Sequence, residues 1–536
     1  MSATRAPAAR PRDVRQALRA GAEIGLIDVR PEARFAQGHP LFAACLDADR
    51  LELEAVRRLP RADAPLVVYG EDEPGGARAA ERLGELGYRD VRVLAGGVEG
   101  WRADGGETFT DVNSPSKAFG ELVAERLDTP AIEAAELGRL LDAGSAVTVL
   151  DARRLDEYRT MSIPTAASAP GATLVRAVAG RDGDELVVVN CAGRTRSIIG
   201  AQSLVNAGVA PRVAALLGGT IGWTLARLAL EHGQDRRLDP PANERACAAA
   251  RRLADRAGVG RLRAAALSAL VREGERTLYL FDVRSPEAFS EGHLPGFRSA
   301  PGGQLVQETD HHAPIRGALL VLADDGASEA DMTASWLAQM GWEVAVLDGV
   351  RAASGDERGP APGPTPPLPE VEWWTPAELA ASLTDPAVAV VDLGRHRDHL
   401  EGHIPTAFWA SRAALLRGES GLPEVRTLVV TADEPALIAF GVADVRAELG
   451  ACAVGLQGGT PAWAADGRAL EQGATRRLSE PQDRYRRPYE GIGVPPEAMR
   501  AYLDWEYGLV AQLERDDTHR FSVLGPQTHT DERATP

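Results

Sequence analysis

Val149-Leu150-Asp151-Ala152-Arg153 is an apolar run that ends in an acidic residue, and three further copies of this pattern lie along the chain. The copies are Leu26-Ile27-Asp28-Val29-Arg30, Leu280-Phe281-Asp282-Val283-Arg284 and Val390-Val391-Asp392-Leu393-Gly394-Arg395. They recur at intervals of about 110–130 residues, which is the size of a small domain. This internal repeat predicts four similar domains in tandem.

Each repeat continues in the same order, with a turn, a second apolar strand, a helical pattern and a third strand that closes on glycine. The second strands are predicted at 66–69, 186–190, 319–322 and 428–431. Short apolar strands that alternate with helices predict an α/β fold, in which each domain is a mostly parallel sheet with helices on both faces. Ligands of such sheets bind at the carboxyl ends of the strands.

The pattern divides the chain into domains at 11–108, 129–236, 243–352 and 371–475. A polar linker is expected at 109–128, and a Pro-rich, extended linker at 353–370. Residues 476–536 form a C-terminal tail in which we expect one amphipathic helix over 496–514 and disorder over about the last dozen residues.

The composition excludes several classes of protein. A net charge of -18 argues against nucleic-acid binding. The chain has no apolar run long enough for a membrane span, and its N-terminus has no apolar signal core, so we expect a cytoplasmic protein. The four cysteines are far apart without a CxxC pair, and neither a disulfide framework, a metal site nor a cofactor is predicted.

Only the second repeat has a nucleophile directly after its second strand. Cys191 stands there, and the corresponding residues of the other repeats are Gly70, Ala323 and Ala432. The loop of the second repeat reads Asn190-Cys191-Ala192-Gly193-Arg194-Thr195-Arg196-Ser197, and a helical pattern follows it. Domains one, three and four are therefore expected to be inactive.

This loop suits thiolate chemistry. A cysteine between a strand end and a helix start faces unpaired amides and the positive end of the helix dipole. Gly193 allows the loop to curl, Arg194 and Arg196 add positive charge, and Ser197 is a candidate cap of the helix. Such surroundings can lower a cysteine pKa to about 3.5–7.5. The nearest histidine in the sequence is His232, so a Cys–His pair is not indicated.

The four-fold pattern resembles the rhodanese (sulfurtransferase) superfamily over roughly residues 11–475. The resemblance rests on the Asp-x-Arg strand end, the Gly-His-x-Pro turn and the six-residue loop from Cys191 to Arg196. It implies four tandem rhodanese-like domains, of which the second is the catalytic one. In that family the loop cysteine accepts a sulfane sulfur as a persulfide and passes it to a thiophilic acceptor.

Carried over to this chain, the resemblance makes Cys191 the persulfide carrier. The amides of the loop would cradle the sulfur, and Arg194 and Arg196 would bind an anionic donor. The substrate-binding residues implied are Ala192, Gly193, Arg194, Thr195, Arg196 and Ser197, with Asp151, Arg153 and Glu157 in support. The implied donor is thiosulfate or a persulfide, and the implied acceptors are cyanide, a thiol or a sulfur-carrier protein.

The second domain departs from the family pattern in two places. It has Met161-Ser162-Ile163-Pro164 where the other repeats have Gly-His before the proline. Glu157 stands where two-domain thiosulfate enzymes often carry an arginine. Two alternatives to sulfur transfer stay open at this point. The chain could be a binding scaffold or a sulfur or redox sensor, because three loops lack cysteine, or a phosphatase or arsenate reductase built on the same fold.

Overall fold

One sheet topology is repeated four times along the chain. The computed structural model describes residues 6–180, 184–238, 240–241, 243–361, 363–417, 421, 423, 425–473, 476–491 and 493–525. Each repeat contributes five parallel strands, and their order across the sheet is first, fifth, fourth, second, third in chain numbering. Four α/β units with parallel sheets and surrounding helices are thereby confirmed.

The first sheet has a buried centre, because its second strand is buried along its whole length. Its strands are Ala8–Ala9, Ile24–Asp28, Ala44–Cys45, Leu66–Tyr69 and Val91–Leu94. Its helices are Pro11–Ala20, Glu32–Phe35, Leu51–Arg58, Glu73–Glu85 and Gly97–Ala103. A sixth strand, Ile315–Arg316, comes from the third repeat and pairs antiparallel with Ile24–Asp28. Two repeats that are distant in sequence therefore share one sheet.

The second repeat follows the same plan. Its strands are Ala131–Ile132, Val147–Asp151, Ala167–Ser168, Leu186–Asn190 and Val213–Leu216. Its helices are Ala134–Asp142, Leu155–Thr160, Leu174–Val178, Thr195–Ala207 and Gly219–Leu225. The second strand predicted from the sequence coincides with Leu186–Asn190. Cys191 accordingly follows the carboxyl end of a central strand.

The third repeat is entered through an additional helix, Glu244–Arg256, whose alanine face packs into the core of the second repeat. Its strands are Gly260–Leu262, Leu278–Asp282, Arg298–Ser299, Leu319–Ala323 and Glu343–Leu347. Its helices are Ala264–Glu273, Pro286–Glu291, Gly302–Gln307, Thr309–His312 and Glu329–Gln339. The helix that follows the last strand in the other repeats is replaced here by the short 3-10 turn Ala352–Ser354.

The fourth repeat is the last one and has its own hydrophobic core. Its strands are Trp373–Trp374, Val388–Asp392, Phe408–Trp409, Thr427–Thr431 and Ala453–Leu456. Its helices are Pro376–Ser382, His396–Glu401, Arg412–Leu416, Pro435–Leu449 and Gly459–Ala465. His399 Nδ1 lies 2.8 Å from Asp392 Oδ2. The histidine thus takes the place of the arginine that pairs with the strand-end aspartate in the other repeats.

The segment expected to be a polar linker at 109–128 is mostly the helix Ser114–Leu127. Its first half is buried, including Lys117, Phe119 and Glu121, because it packs between the second repeat and the C-terminal tail. Most of the segment expected to be a linker is therefore a packed helix. The Pro-rich segment 353–370 contains only the end of the 3-10 turn and an isolated bridge at Glu357 among its described residues.

The described part of the tail contains two helices, Pro496–Tyr507 and Leu509–Arg515, instead of the one helix expected over 496–514. Gly508 separates them, since glycine is a poor helix former, and its amide donates to the carbonyl of Trp505 at 3.0 Å. Most of the terminal residues expected to be disordered lie outside the described residues. No helix of the described part of the chain is long and apolar enough to cross a membrane.

Candidate active site

The carboxyl ends of two neighbouring strands hold the candidate site. Asp151 and Asn190 lie opposite each other in the parallel register, and the Asn190 amide donates to Asp151 Oδ2 at 2.8 Å. Arg153 forks onto the same carboxylate at 2.9 and 2.7 Å and donates to the carbonyl of Met161 at 2.6 Å. These buried contacts fix the strand end and the turn beside it.

The same fork occurs in two repeats that lack a loop cysteine. Arg30 binds Asp28 and donates to the Gly38 carbonyl at 2.7 Å, and Arg284 binds Asp282 in the same way. A contact that is common to loops with and without a nucleophile serves the geometry of the turn. In the second repeat, Asp151 and Arg153 accordingly stabilise the strand end and the turn at Met161.

The backbone of the loop is held from one side by the turn after the next strand. The Cys191 carbonyl accepts hydrogen bonds from the amide and hydroxyl of Thr220 at 2.9 and 2.8 Å. The Ala192 carbonyl accepts one from the Ile221 amide at 3.0 Å. Gly219 has φ +54, and a Cβ there would lie 2.4 Å from the Cys191 oxygen, so only glycine fits.

The amides of the loop remain free for a ligand. Within the described residues, those of Ala192, Gly193 and Arg194 donate to no carbonyl or side chain. They precede the helix Thr195–Ala207, whose N-terminal amides carry the positive end of its dipole. Such an arrangement of amides can accept an anion or a sulfur that carries negative charge.

The start of this helix differs from the prediction. Arg194 occupies the cap position without a side-chain cap, and Ser197 lies inside the first turn. The Ser197 hydroxyl donates to the Arg194 carbonyl at 2.7 Å, and its amide and hydroxyl face the sulfur of Cys191. Ser197 therefore contacts the thiol of Cys191 instead of capping the helix.

Arg196 is bound by Glu157 in a bidentate ion pair with distances of 2.8 and 2.9 Å. Burial alone would raise the pKa of Glu157, but the guanidinium of Arg196 lowers it to about 2. The pair places a fixed positive charge next to Cys191 and neutralises most of it with a carboxylate. Glu157 thus has a structural partner, and its carboxyl is not available as a proton donor.

Arg194 is also committed to a partner. Its guanidinium binds Glu121 through two hydrogen bonds of 2.7 Å and stacks 4.0 Å from the ring centre of Tyr507. It donates to the Tyr507 hydroxyl at 2.8 Å as well. The expectation that Arg194 is free to bind an anionic donor is not met in this arrangement, because Glu121 already occupies its donor groups.

Cys191 is buried, with 2 % of its surface exposed. Burial raises the pKa of its thiol, and the charge of Glu506 adds to that rise, whereas Arg196 and Ser197 oppose it without offsetting it. The lowered pKa expected from the sequence is therefore wrong for this closed arrangement. Loss of solvent around the sulfur outweighs the favourable charges of the loop.

The cover over the loop comes from the C-terminal tail, which sequence reasoning did not connect with the site. A Cβ on Gly193 would lie 2.9 Å from Glu506 Oε2 and 3.0 Å from Tyr502 Cε1. Leu503 lies 3.2 Å from the corresponding position of Gly218. The amphipathic pattern of 496–514 signalled a buried helix face, but it contains no information about the surface that this face covers.

Lys117, the only lysine of the chain, ties the tail to the helix Ser114–Leu127. Its ammonium group binds Asp111 Oδ1 at 2.8 Å and lies 5.2–5.8 Å from the ring centres of Tyr489, Tyr502 and Trp505. A cation surrounded by aromatic rings away from water is strongly attracted to them. This contact holds the helix that carries Glu506 against the active loop.

The other cysteines lie outside any comparable loop. All four are free; Cys45 and Cys247 are partly buried, and Cys452 is exposed. The Cys45 thiol donates to the carbonyl of Arg30 at 3.5 Å, and burial raises its pKa well above the ordinary value. Gly70, Ala323 and Ala432 occupy the strand ends of the remaining repeats, as the alignment of the repeats predicts.

Comparison with known proteins agrees with this geometry. A family model described as a rhodanese-like domain matches residues 10–104, 133–226 and 263–350. A crystal structure of a thiosulfate sulfurtransferase from Pseudomonas aeruginosa is 51% identical, with a TM-score of 0.94, and the alignment covers 97% of this chain and 100% of that one. A putative thiosulfate sulfurtransferase, SseB, of Mycobacterium tuberculosis is 35% identical over 100 residues, which cover 18% of this chain and 34% of that relative.

Proposed function

Because the chain belongs to the rhodanese-like domain family, we propose that it is a sulfurtransferase in which Cys191 carries the sulfur between donor and acceptor. The observation that carries this proposal is the position of Cys191. It follows a central strand, its carbonyl is tied down by Thr220, and the next amides of the loop have no acceptor of their own within the described chain.

The proposed reaction has two halves. The Cys191 thiolate attacks the sulfane sulfur of a donor such as thiosulfate or a persulfide, the bond between the donor's two sulfur atoms breaks, and the leaving group departs with the electron pair. The persulfide on Cys191 lies against the loop amides. A thiophilic acceptor, which is cyanide in an assay and a thiol or sulfur-carrier protein in the cell, then takes the outer sulfur and releases the thiolate.

Substrates reach the loop from the side of Arg196 and Glu157. Both residues line a cavity of about 1110 Å³ that lies between the four repeats and the tail. The cavity is rich in charged side chains of both signs, including Arg154, Arg486 and Asp483. We place the activity in cytoplasmic sulfur metabolism, since four free cysteines fit a reducing compartment and the net charge of -18 does not favour nucleic acid.

The test compares Cys191→Ser with Cys247→Ser, a matched change at a cysteine outside the loop. After exposure to thiosulfate, wild type and Cys247→Ser should gain the mass of one sulfur atom, which cyanide removes, and Cys191→Ser should gain none. Thiosulfate:cyanide turnover of Cys191→Ser above about a tenth of wild type would point to another cysteine.

The phosphatase alternative is tested with the same variants. In a phosphatase on this fold the loop arginine must hold the phosphate oxygens, but Arg196 is held by both oxygens of Glu157. We therefore expect no hydrolysis of p-nitrophenyl phosphate. Hydrolysis that is lost in Cys191→Ser would favour the phosphatase over the sulfurtransferase. The scaffold alternative predicts that Cys191 gains no sulfur at all.

A further inference from the structure

Glu506 is a carboxyl group that the sequence did not connect with the active site. It lies on the helix Pro496–Tyr507, is 1% exposed, and presents Oε2 towards Gly193 of the loop. Tyr502 donates a hydrogen bond to Oε1 at 3.0 Å, whereas Oε2 has no hydrogen-bond partner among the described residues. An unpartnered oxygen therefore faces the loop in a buried place.

The charges around the loop are otherwise balanced. Among the described residues, four buried or half-buried cations lie near the loop, each with its own carboxylate partner: Lys117 with Asp111 at 2.8 Å, Arg153 with Asp151 at 2.7 Å, Arg194 with Glu121 at 2.7 Å and Arg196 with Glu157 at 2.8 Å. The exposed Arg154 lies 3.4 Å from Asp156 and 3.5 Å from Glu157. Glu506 is a fifth acid without an ion-pair partner of its own. The site thus offers no surplus of positive charge to a doubly charged anion.

From this balance we propose that ionised Glu506 sets the charge preference of the Cys191 site, which then takes neutral or singly charged sulfane donors in preference to dianionic thiosulfate. The inference rests on the proposed sulfurtransferase function and names the class of donor within it. Organic persulfides and thiosulfonates belong to the preferred class, since they carry at most one negative charge at the sulfur group.

The preference should strengthen as Glu506 ionises. Burial and the charge of Glu121 raise the pKa of Glu506 to about 8, although Lys117, Tyr502 and Arg194 act in the opposite direction. The titratable and charged groups that face it from the packed elements are Lys117 and Glu121 on Ser114–Leu127, Cys191 and Arg194 on the loop, Tyr502 on its own helix, and Tyr489. At pH values below this pKa, the carboxyl group of Glu506 is neutral and does not repel a dianion. At pH values above it, the group is a carboxylate and repels one.

Two donors of nearly equal shape test the proposal. Methanethiosulfonate differs from thiosulfate in that a methyl group replaces one oxygen, which removes one negative charge. We expect the ratio of kcat/KM for methanethiosulfonate to that for thiosulfate to rise by about tenfold or more between about pH 6 and about pH 9 in the wild type. Ionisation of Cys191 cancels from this ratio, because both donors need the same thiolate.

The variant Glu506→Gln should make the ratio independent of pH, and Glu497→Gln, an exposed change on the same helix, should leave the wild-type behaviour intact. A wild-type ratio that does not change with pH overturns the proposal even if Glu506→Gln does not fold. If neither donor transfers sulfur to Cys191, the proposed function itself fails. That result is distinct from transfer without discrimination, which contradicts only the role of Glu506.

Discussion

Arg196 is the charge that most strongly opposes the effect of burial on Cys191. Replacing it with alanine removes a positive charge that favours the thiolate, so the pKa of Cys191 should rise further. The pH profile of Cys191 alkylation by iodoacetamide should then shift to higher pH. A charge-assisted contact is worth about 1.5–3 kcal/mol, so kcat/KM for thiosulfate should fall by about tenfold or more.

The same substitution leaves the carboxylate of Glu157 buried without the guanidinium of Arg196. An unpaired buried charge lowers the stability of the folded protein, whatever its effect on the reaction. The double variant Arg196→Ala/Glu157→Gln separates these effects, because the amide needs no cation. It should recover thermal stability relative to Arg196→Ala without recovering sulfur transfer. An alkylation profile of Arg196→Ala that coincides with that of wild type would show that Arg196 does not act on the thiol.

At the scale of elements, the helix Ser114–Leu127 sets the position of the active helix. A Cβ on Gly120 would lie 2.9 Å from Thr195 Cγ2 and 3.3 Å from Thr195 Cα, at the start of that helix. Gly120→Ala should therefore push the two helices apart and move Arg194 relative to Glu121. We expect sulfur transfer to fall on the order of tenfold, since small displacements of catalytic groups are costly.

Gly84→Ala is the matched control. Gly84 is also helical, and a Cβ there meets nothing within 4 Å. In both variants, alanine stabilises the helix by about 0.5–1 kcal/mol relative to glycine. Gly84→Ala should therefore raise the unfolding temperature slightly and keep full activity. Equal activity of the two variants would mean that the contact between Gly120 and Thr195 is not needed for the site.

At the scale of the molecule, the cavity of about 1110 Å³ carries arginines and carboxylates side by side, so the attraction of an anionic donor depends on individual arginines such as Arg486. Arg486→Glu reverses a charge on its wall, and Arg78→Glu reverses one on the wall of a second cavity of about 700 Å³ beside the cysteine-free loop of the first repeat. We expect Arg486→Glu to raise KM for thiosulfate about three- to tenfold with kcat unchanged. Arg78→Glu should change neither value, and equal effects of both would indicate a general response to net charge.

The repeats are not structurally independent of one another. One hydrophobic core joins residues of the first and third repeats, Phe119 and Val123 of the connecting helix, and Ile198 of the active helix. The third repeat also adds the strand Ile315–Arg316 to the first sheet. The repeats whose loops lack cysteine thereby help to position the loop of Cys191, which gives a physical reason for their presence in the chain.

The fold could be predicted because its signals are local. Strands that alternate with helices, and a unit that recurs four times, are visible in the order of residues, and the second strands lie within one residue of their predicted positions. Cys191 could be found for the same reason, since a strand end followed by a glycine-containing loop and a helix is a continuous stretch. Asp151 and Arg153 likewise pair within their own strand end.

Only the tertiary structure decided how this loop is surrounded. Arg194 is paired by Glu121 from a segment predicted as a linker, and Cys191 is covered by Tyr502 and Glu506, which follow it by some three hundred residues. Burial and ion pairing depend on which surfaces pack against each other in the folded chain. The repeat in the sequence does not show which distant segments make these contacts. The sequence by itself therefore determined the fold and singled out Cys191 as the candidate nucleophile, whereas the docking of distant helices decided the burial that raises the pKa of the thiol, the partners of the loop arginines and the charge near the loop.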